Sequence, residues 1–387
     1  MWQAVVSLVA SRVAFAGLAI GVTATLSLQP APRLEAPLPQ KTVITEPLIV
    51  TDPSTGTQTT TVDVLIYNVA ALPWPLRGNR TKALHMIGDE LAFARERGEA
   101  PDIILIQEGF RRSMSDLIDR AGYPNWVRGP ARTDLMPEYS DVAPETFQAE
   151  RRWDKAEGLG KVAGSGLYVL SDWPILRKEI SPFYASECAG YDCAANKGML
   201  WVEIEVPGMP GHLQMFNTHL NARRSTGVPE ARSLTAYSLQ TARMADVVSN
   251  HYDGEEPLIF GGDFNAKGSA ERFDAIMASG ALPGALVHKA CAAPRSDDCG
   301  LTVTGETSSP WLETQDWQGW RSGANVTVRP ISKEVWFADE IDDAPEIKGR
   351  RTLSDHDAVL VRYELSWTPQ ETDTLVAALD PAASDPR

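Results

Sequence analysis

The chain lacks any surplus of positive charge: 36 Lys and Arg face 51 Asp and Glu, a net charge of −15. A polyanion would meet repulsion over much of such a surface at low salt, so nucleic acid is poorly favoured as a partner. Cysteine is scarce as well. The four fall in two close pairs, Cys188 with Cys193 and Cys291 with Cys299. Neither pair has the two-residue spacing of a zinc knuckle or a histidine close behind it. Two local disulfides are the simplest reading, although three connectivities are formally open. Also missing is a clear small-x-small cleavage site after the uncharged stretch 13–32, which follows Arg12. A basic start and an apolar stretch read as a signal peptide and export to the periplasm or medium. An uncleaved N-terminal anchor is the alternative, made marginal by the many Ala, Gly, Ser and Thr.

With 387 residues the chain is long for one domain and short for two large ones, which suggests a single folded domain of about 300 residues between dispensable ends. Residues 1–29 form the leader, 30–60 a Pro- and Thr-rich extended linker, 61–366 the domain, and 367–387 an acidic, Ala- and Pro-rich disordered tail. Apolar alternation predicts a strand over 62–69, ending near Asn68 before a loop that carries Leu72, Trp74 and Leu76. A helix capped by Asn79 follows, with Leu84, Ile87, Leu91 and Phe93 on its apolar face and Gly98 after its end. A buried strand over 102–106 then runs into Gln107-Glu108. Residues 122–160 read as one long surface loop. Further strands are expected at 165–170, 198–206 and 213–217, helices at 230–250 and 269–279, and an irregular segment at 280–330 holding Trp311, Trp317 and Trp320. Two last strands, 334–338 and 358–365, flank Leu353-Ser354-Asp355-His356.

The chemistry gathers where strands stop. Pro257-Leu258-Ile259-Phe260 is a short apolar run, and Gly261-Gly262 turn the backbone so that Asp263 and Asn265 stand at its mouth. Asp-Asn turns are also a common structural device, because both side chains cap their own backbone. Here, though, Asn68, Glu108, His219, Asp263, Asn265, Asp355 and His356 all fall at strand ends, which points to one convergent pocket. Hard oxygen ligands without thiolate suit Mg²⁺, Mn²⁺ or Ca²⁺, and histidines beside a metal suit proton transfer at a phosphoryl centre.

In order along the chain, Tyr67-Asn68, Gln107-Glu108, Ser165-Gly166-Leu167, Asn217-Thr218-His219, Gly262-Asp263-Phe264-Asn265 and Ser354-Asp355-His356 resemble the blocks of the endonuclease/exonuclease/phosphatase superfamily. The resemblance covers about 61–366 and implies an α/β fold, a four-layer α/β sandwich of two facing, mostly antiparallel sheets flanked by helices. It implies cleavage of a phosphoester with divalent metal. Residues 190–198, with Asp192 and Lys197 five apart before Gly198, are similar to the block of neutral sphingomyelinases, as are Asn68-Val69 and Leu72-Pro73-Trp74. No basic DNA-gripping loop and no phosphoinositide-phosphatase block is found. Two departures stand out: Glu334-Val335 where the family often has Asp-Tyr, and Asp357 rather than an aromatic residue after Ser354-Asp355-His356.

On that resemblance, Asn68, Glu108, Asp263, Asp355 and His356 are the expected metal ligands, and His219, Asp263, Asn265, His356, Asp192 and Lys197 the catalytic groups. Asp355 is expected to orient a histidine or a metal ligand. The expected substrate is sphingomyelin or a related phospholipid at a membrane surface, met by a monomer; a secreted nuclease or a phosphatase of the same superfamily is the alternative. Leu72, Trp74 and Leu76, with Trp311, Trp317 and Trp320, are the expected membrane contacts, since Trp favours the interface. Their alternative role is closing the core.

Overall fold

Alternation along one strand sets the layers. The computed structural model describes residues 45–72, 76–137, 143–287, 302–304 and 314–369. In it the Gln58–Asn68 strand sends Val62, Val64 and Ile66 to one face and Leu65 and Tyr67 to the other. The first set meets Leu200, Val202, Met215 and Ile259 of a second sheet, and the other set meets Leu84, Ile87 and Leu91 of the Arg80–Glu96 helix. Ile259 has the same double neighbourhood on its own strand: it faces the first sheet, while Leu258 and Phe260 pack on Tyr237, Met244 and Val247 of the Glu230–His251 helix. Four layers result, helix on sheet on sheet on helix. Each such buried side chain contributes about 1.5–3 kcal/mol, and a one-residue slip would turn the whole set to the wrong face.

The first sheet runs in the order 302–304, Thr327–Trp336, Ala358–Trp367, Gln58–Asn68, Ile103–Gln107, Tyr168–Ser171, Asn125–Arg128, with Val50–Thr51 added beside Gln58–Asn68. The second runs Ala285–Leu286, Asp316–Arg321, Leu258–Asp263, Leu213–His219, Gly198–Ile204, Ile175–Pro182. Three pairs are parallel: 302–304 with Thr327–Trp336, Gln58–Asn68 with Ile103–Gln107, and Leu213–His219 with Leu258–Asp263. The remaining pairs within these sheets are antiparallel.

Several sequence expectations are corrected. Order begins before residue 61: Val50–Thr51 pairs with Gln58–Asn68, and Trp173 Nε1 donates to Thr45 O at 2.9 Å. At the other end Trp367 belongs to the last strand, its indole donating to Gln58 Oε1 at 2.8 Å. Phe93 is 54% exposed and under the Arg97 guanidinium, not on the buried face of its helix. Residues 122–160 are not one loop, since they contain the Asn125–Arg128 strand and the Glu145–Ala149 helix. The segment 280–330 is not irregular throughout, because Asp316–Arg321 forms a strand beside Leu258–Asp263. That strand hides its alternation. Trp317 faces the helices, while its neighbour Gln318 is buried between the sheets, donating to Val64 O at 3.0 Å and Val359 O at 2.8 Å.

Trp317 is likewise no membrane contact. It is 1% exposed, stacks on Phe264 with centroids 5.1 Å apart, and donates from Nε1 to Thr314 O. Trp320 is partly buried against the inter-sheet core. Leu72 is partly buried and Leu76 exposed, whereas Trp74 and Trp311 lie outside the described residues. So do the leader, residues 30–44 of the linker, and the tail from 370. Among the described residues no helix is long and apolar enough to cross a membrane.

Candidate active site

Strand register brings the polar ends together. Asn68 pairs with Gln107 across the parallel strands of the first sheet, and His219 and Asp316 both pair with Asp263 in the second. Near this mouth the apolar filling between the sheets gives way to amides: Gln107 Nε2 donates to Asn217 Oδ1 at 2.8 Å, and Asn217 Nδ2 donates to Ile106 O at 3.0 Å. Just past the strands, Ala70, Glu108 and Asn265 hold positive φ values of 47°, 56° and 49°. Such backbone costs of order 1–3 kcal/mol per residue and survives where the surroundings over-determine it. Gly262 is required for packing as well as for turning, because a Cβ there would lie 2.1 Å from Thr218 O.

Asp263 is the hub. Its Oδ1 accepts from Asn265 N at 2.9 Å and its Oδ2 from Asn68 Nδ2 at 2.9 Å, while Asn68 Oδ1 accepts from Ala70 N. Burial, with the Asp316 carboxylate beside it, pushes the Asp263 carboxyl well above its ordinary range. Burial also raises Glu108, which reaches the same space from the first sheet. Across from these, Asp316 Oδ2 lies 2.8 Å from His356 Nδ1, and the Gln315 amide lies 3.1 Å from Nε2. Burial alone would lower the His356 pKa, but Asp316, Asp263 and Glu108 outweigh it and lift it to about 10.

A second unit approaches from the side. Lys197, 5% exposed, donates to Asp192 Oδ2 at 2.8 Å and to Leu220 O at 2.9 Å, and its Nζ lies 3.0 Å from His219 Nε2. An ammonium only donates, so Nε2 is the acceptor and His219 is neutral. Burial and Lys197 hold its pKa well below the usual imidazole value. The Asp192 carboxylate is pinned in turn by Ala222 N at 2.7 Å. Its loop is closed by the expected Cys188–Cys193 disulfide; Cys291 and Cys299 lie outside the described residues.

Asn68, Glu108, His219, Asp263 and Asn265 thus converge, with His356 facing them and Asp192–Lys197 alongside. Asp355 is directed elsewhere. Its carboxylate pairs with Arg77 at 2.6 Å and Lys348 at 2.8 Å, and the part of orienting a histidine falls to Asp316. Sequence reasoning missed Asp316 because its strand was missed; its place one residue before the buried Trp317 was the available signal. It also missed Arg272, fully buried, whose guanidinium donates to the carbonyls of Asn221, Ala222 and Asn265 and so ties the loop after His219 to the loop after Asp263. Arg80 does the same for the first sheet, holding the carbonyls of Val69, Ala70 and Leu353.

Among the described residues, two groups of three His, Asp or Glu side chains have ligand atoms within 4.8 Å of one another: Glu108, His219 and Asp263, and Asp263, Asp316 and His356. The chemistry of these donors separates them. Both ring nitrogens of His356 are engaged by Asp316 and Gln315, and Lys197 occupies His219 Nε2. That leaves the carboxylates of Glu108 and Asp263 with the Asn68 amide, an oxygen set that fits a hard divalent cation.

Neither a family model nor a curated protein sequence matches the chain. Solved structures do. Sphingomyelinase C from Streptomyces griseocarneus is similar at a TM-score of 0.52 and 21% identity, over 78% of this chain and 99% of that one. A beta toxin variant from Staphylococcus aureus with bound magnesium ions is similar at 0.53 and 16%, over 78% and 99%. Humanized D. rerio TDP2 is similar at 0.50 and 15%, over 78% and 98%. The likeness is one of fold: the chain shares the layered α/β architecture of these structures.

Proposed function

We propose that the chain is a divalent-metal-dependent phosphodiesterase that hydrolyses sphingomyelin or a related phospholipid, releasing phosphocholine and leaving ceramide in the membrane. The observation that carries the hydrolase reading is the one cluster in which Glu108, Asp263, His219 and the Asp316–His356 pair meet from separate strand ends. The sphingomyelin choice is supported by the Asp192–Lys197 unit delivered to His219. Glu108 and Asp263, with Asn68, would hold Mg²⁺, or Mn²⁺ or Ca²⁺ in its place. When bound, the cation neutralises phosphate charge and eases ionisation of water.

The residues then divide the work. Asn265, whose amide is fixed by Leu220 O, offers a donor to the phosphate oxygens where negative charge builds, and Lys197, its three donors held by Asp192, Leu220 and His219, sets a positive charge beside them. Water attacks phosphorus, the bond to the ceramide oxygen breaks, and that oxygen must gain a proton. In this reading His356, its Nδ1 held by Asp316, would supply it, and Asp263 would take the proton from water. His219 stays neutral and steadies the five-coordinate species.

The test is hydrolysis of sphingomyelin, a phosphoinositide and double-stranded DNA, each with and without Mg²⁺. Turnover of sphingomyelin alone, abolished by chelation, is expected. Cleavage of DNA or of the phosphoinositide without sphingomyelin would overturn the substrate reading, and turnover unaffected by chelation would overturn the metal.

A further inference from the structure

Beside the pocket the chain reverses its charge. Arg112, Arg128 and Arg132, all exposed, line a cavity of about 410 Å³ together with Phe110, Tyr168 and Val162. Among the described residues none of these arginines has an ion-pair partner. Asp134, in the same loop as Arg132, has a carboxylate oxygen taken by Ala131 N at 2.8 Å. In a chain of net charge −15, three unpaired guanidinium groups around one groove are a local exception.

Register fixes where the groove lies. Arg128 pairs with Tyr168 and Tyr168 with Ile106, so the arginine stands at the strand end that leads to Glu108. Gly109, next to Glu108, donates from N to Gly166 O at 2.9 Å, and both glycines line the groove. Behind the lining residue Ala131, Asn196, next to Lys197, donates from Nδ2 to Ala131 O and Asp134 O, both at 2.8 Å. The groove therefore lies beside the segments that carry Glu108 and Lys197. Apolar surface adjoins it: the lining residue Val162 is 68% exposed, and Trp126, 41% exposed, has its ring 6.3 Å from that of the lining residue Tyr168.

We propose that this groove binds the phosphate group of an anionic phospholipid lying beside the substrate in the same bilayer, and so docks the catalytic face on the membrane. The inference rests on the lipid reading of the pocket. Guanidinium forks suit phosphate oxygens, and an exposed Trp beside them suits the level of the headgroups. A single-stranded nucleic acid would need a basic track several nucleotides long, whereas this cavity holds one headgroup. The site would supply a membrane contact that Trp317, being interior, does not.

The full chain and its Arg128→Gln/Arg132→Gln variant are compared for sedimentation with phosphatidylcholine vesicles, with or without phosphatidylglycerol. Hydrolysis of soluble bis(p-nitrophenyl) phosphate serves as the control. Expected is tighter binding to the phosphatidylglycerol vesicles, weakened about 30-fold in the variant from the loss of two charges near an anionic surface, with the control hydrolysis unchanged. Equal binding of variant and parent overturns the groove. Displacement by inorganic phosphate at concentrations matching the lipid makes it a free-anion site, and tighter, arginine-dependent binding of an oligonucleotide makes it a nucleic-acid site; both overturn the proposal. A chain that binds phosphatidylglycerol through these arginines yet leaves sphingomyelin intact keeps the groove and loses the substrate. Cleavage of sphingomyelin with no arginine-dependent binding does the reverse.

Discussion

Asp316 Oδ2 lies 2.8 Å from His356 Nδ1, and the strand that carries Asp316 sets it directly opposite Asp263. One carboxylate thus orients the histidine and also raises the pKa of the neighbouring acid. Replacing Asp316 by Asn keeps the shape and removes the charge, and the loss of such an orienting carboxylate is worth up to about 10⁴ in turnover. Phosphodiester hydrolysis should fall by at least about 10²-fold with the melting temperature little changed. His356 should titrate lower in the variant, which NMR of the imidazole can follow; an unmoved His356 titration with unchanged turnover would remove Asp316 from the mechanism.

Glu108 tests the cation. Glu108→Gln removes one carboxylate charge with little change in volume, so the fold should persist while calorimetric Mg²⁺ binding weakens by about 10-fold or more, as for other lost metal-site partners. Burial already penalises the ionised carboxylate here, so the amide removes no favourable solvation. Equal Mg²⁺ affinity in the two proteins would place the cation elsewhere.

For Trp317 the expectation is structural. Its ring is stacked on Phe264, one residue after Asp263, and buried among Phe260, Tyr237 and Ile276. Trp317→Ala should cost about 3–5 kcal/mol in urea unfolding. A loss below about 1 kcal/mol, with vesicle binding impaired, would return this residue to the surface role that its composition suggested.

Asp102 carries a stability signal far from the pocket, at the opposite end of the strand that leads to Glu108. Burial raises its carboxyl to about 7, despite the hydrogen bond from Asp63 N at 2.8 Å, with Asp63 and Asp172 adding to the rise. In the unfolded chain it titrates near 3.8. Between these values the folded state keeps a proton that the unfolded state releases, so the contribution is complete below the lower value and lost as pH rises through the upper. The parent should therefore lose more melting temperature between pH 5 and pH 8 than Asp102→Asn, by about 2–4 °C per kcal/mol. Parallel curves for the two proteins would show that Asp102 is ionised in the fold.

The mouths of the strands were legible because an apolar run that ends in Asn, Glu, His or Asp is a local pattern. Asn68, Glu108, His219, Asp263 and Asn265 follow from it, and the layered α/β class followed from the family resemblance that these blocks carry. The local disulfide at Cys188 and Cys193 was legible for the same reason, its partners being five residues apart. Which carboxylate serves His356 was not. Asp355 is its neighbour in sequence, but chain direction turns that side chain to Arg77 and Lys348, while Asp316, forty residues away, arrives by strand pairing. The interior place of Trp317, the clamps of Arg80 and Arg272, and the arginine groove share that origin. Each depends on contacts between segments distant in sequence, and a side chain's neighbours across a sheet or between two sheets are set by register, which no local periodicity encodes.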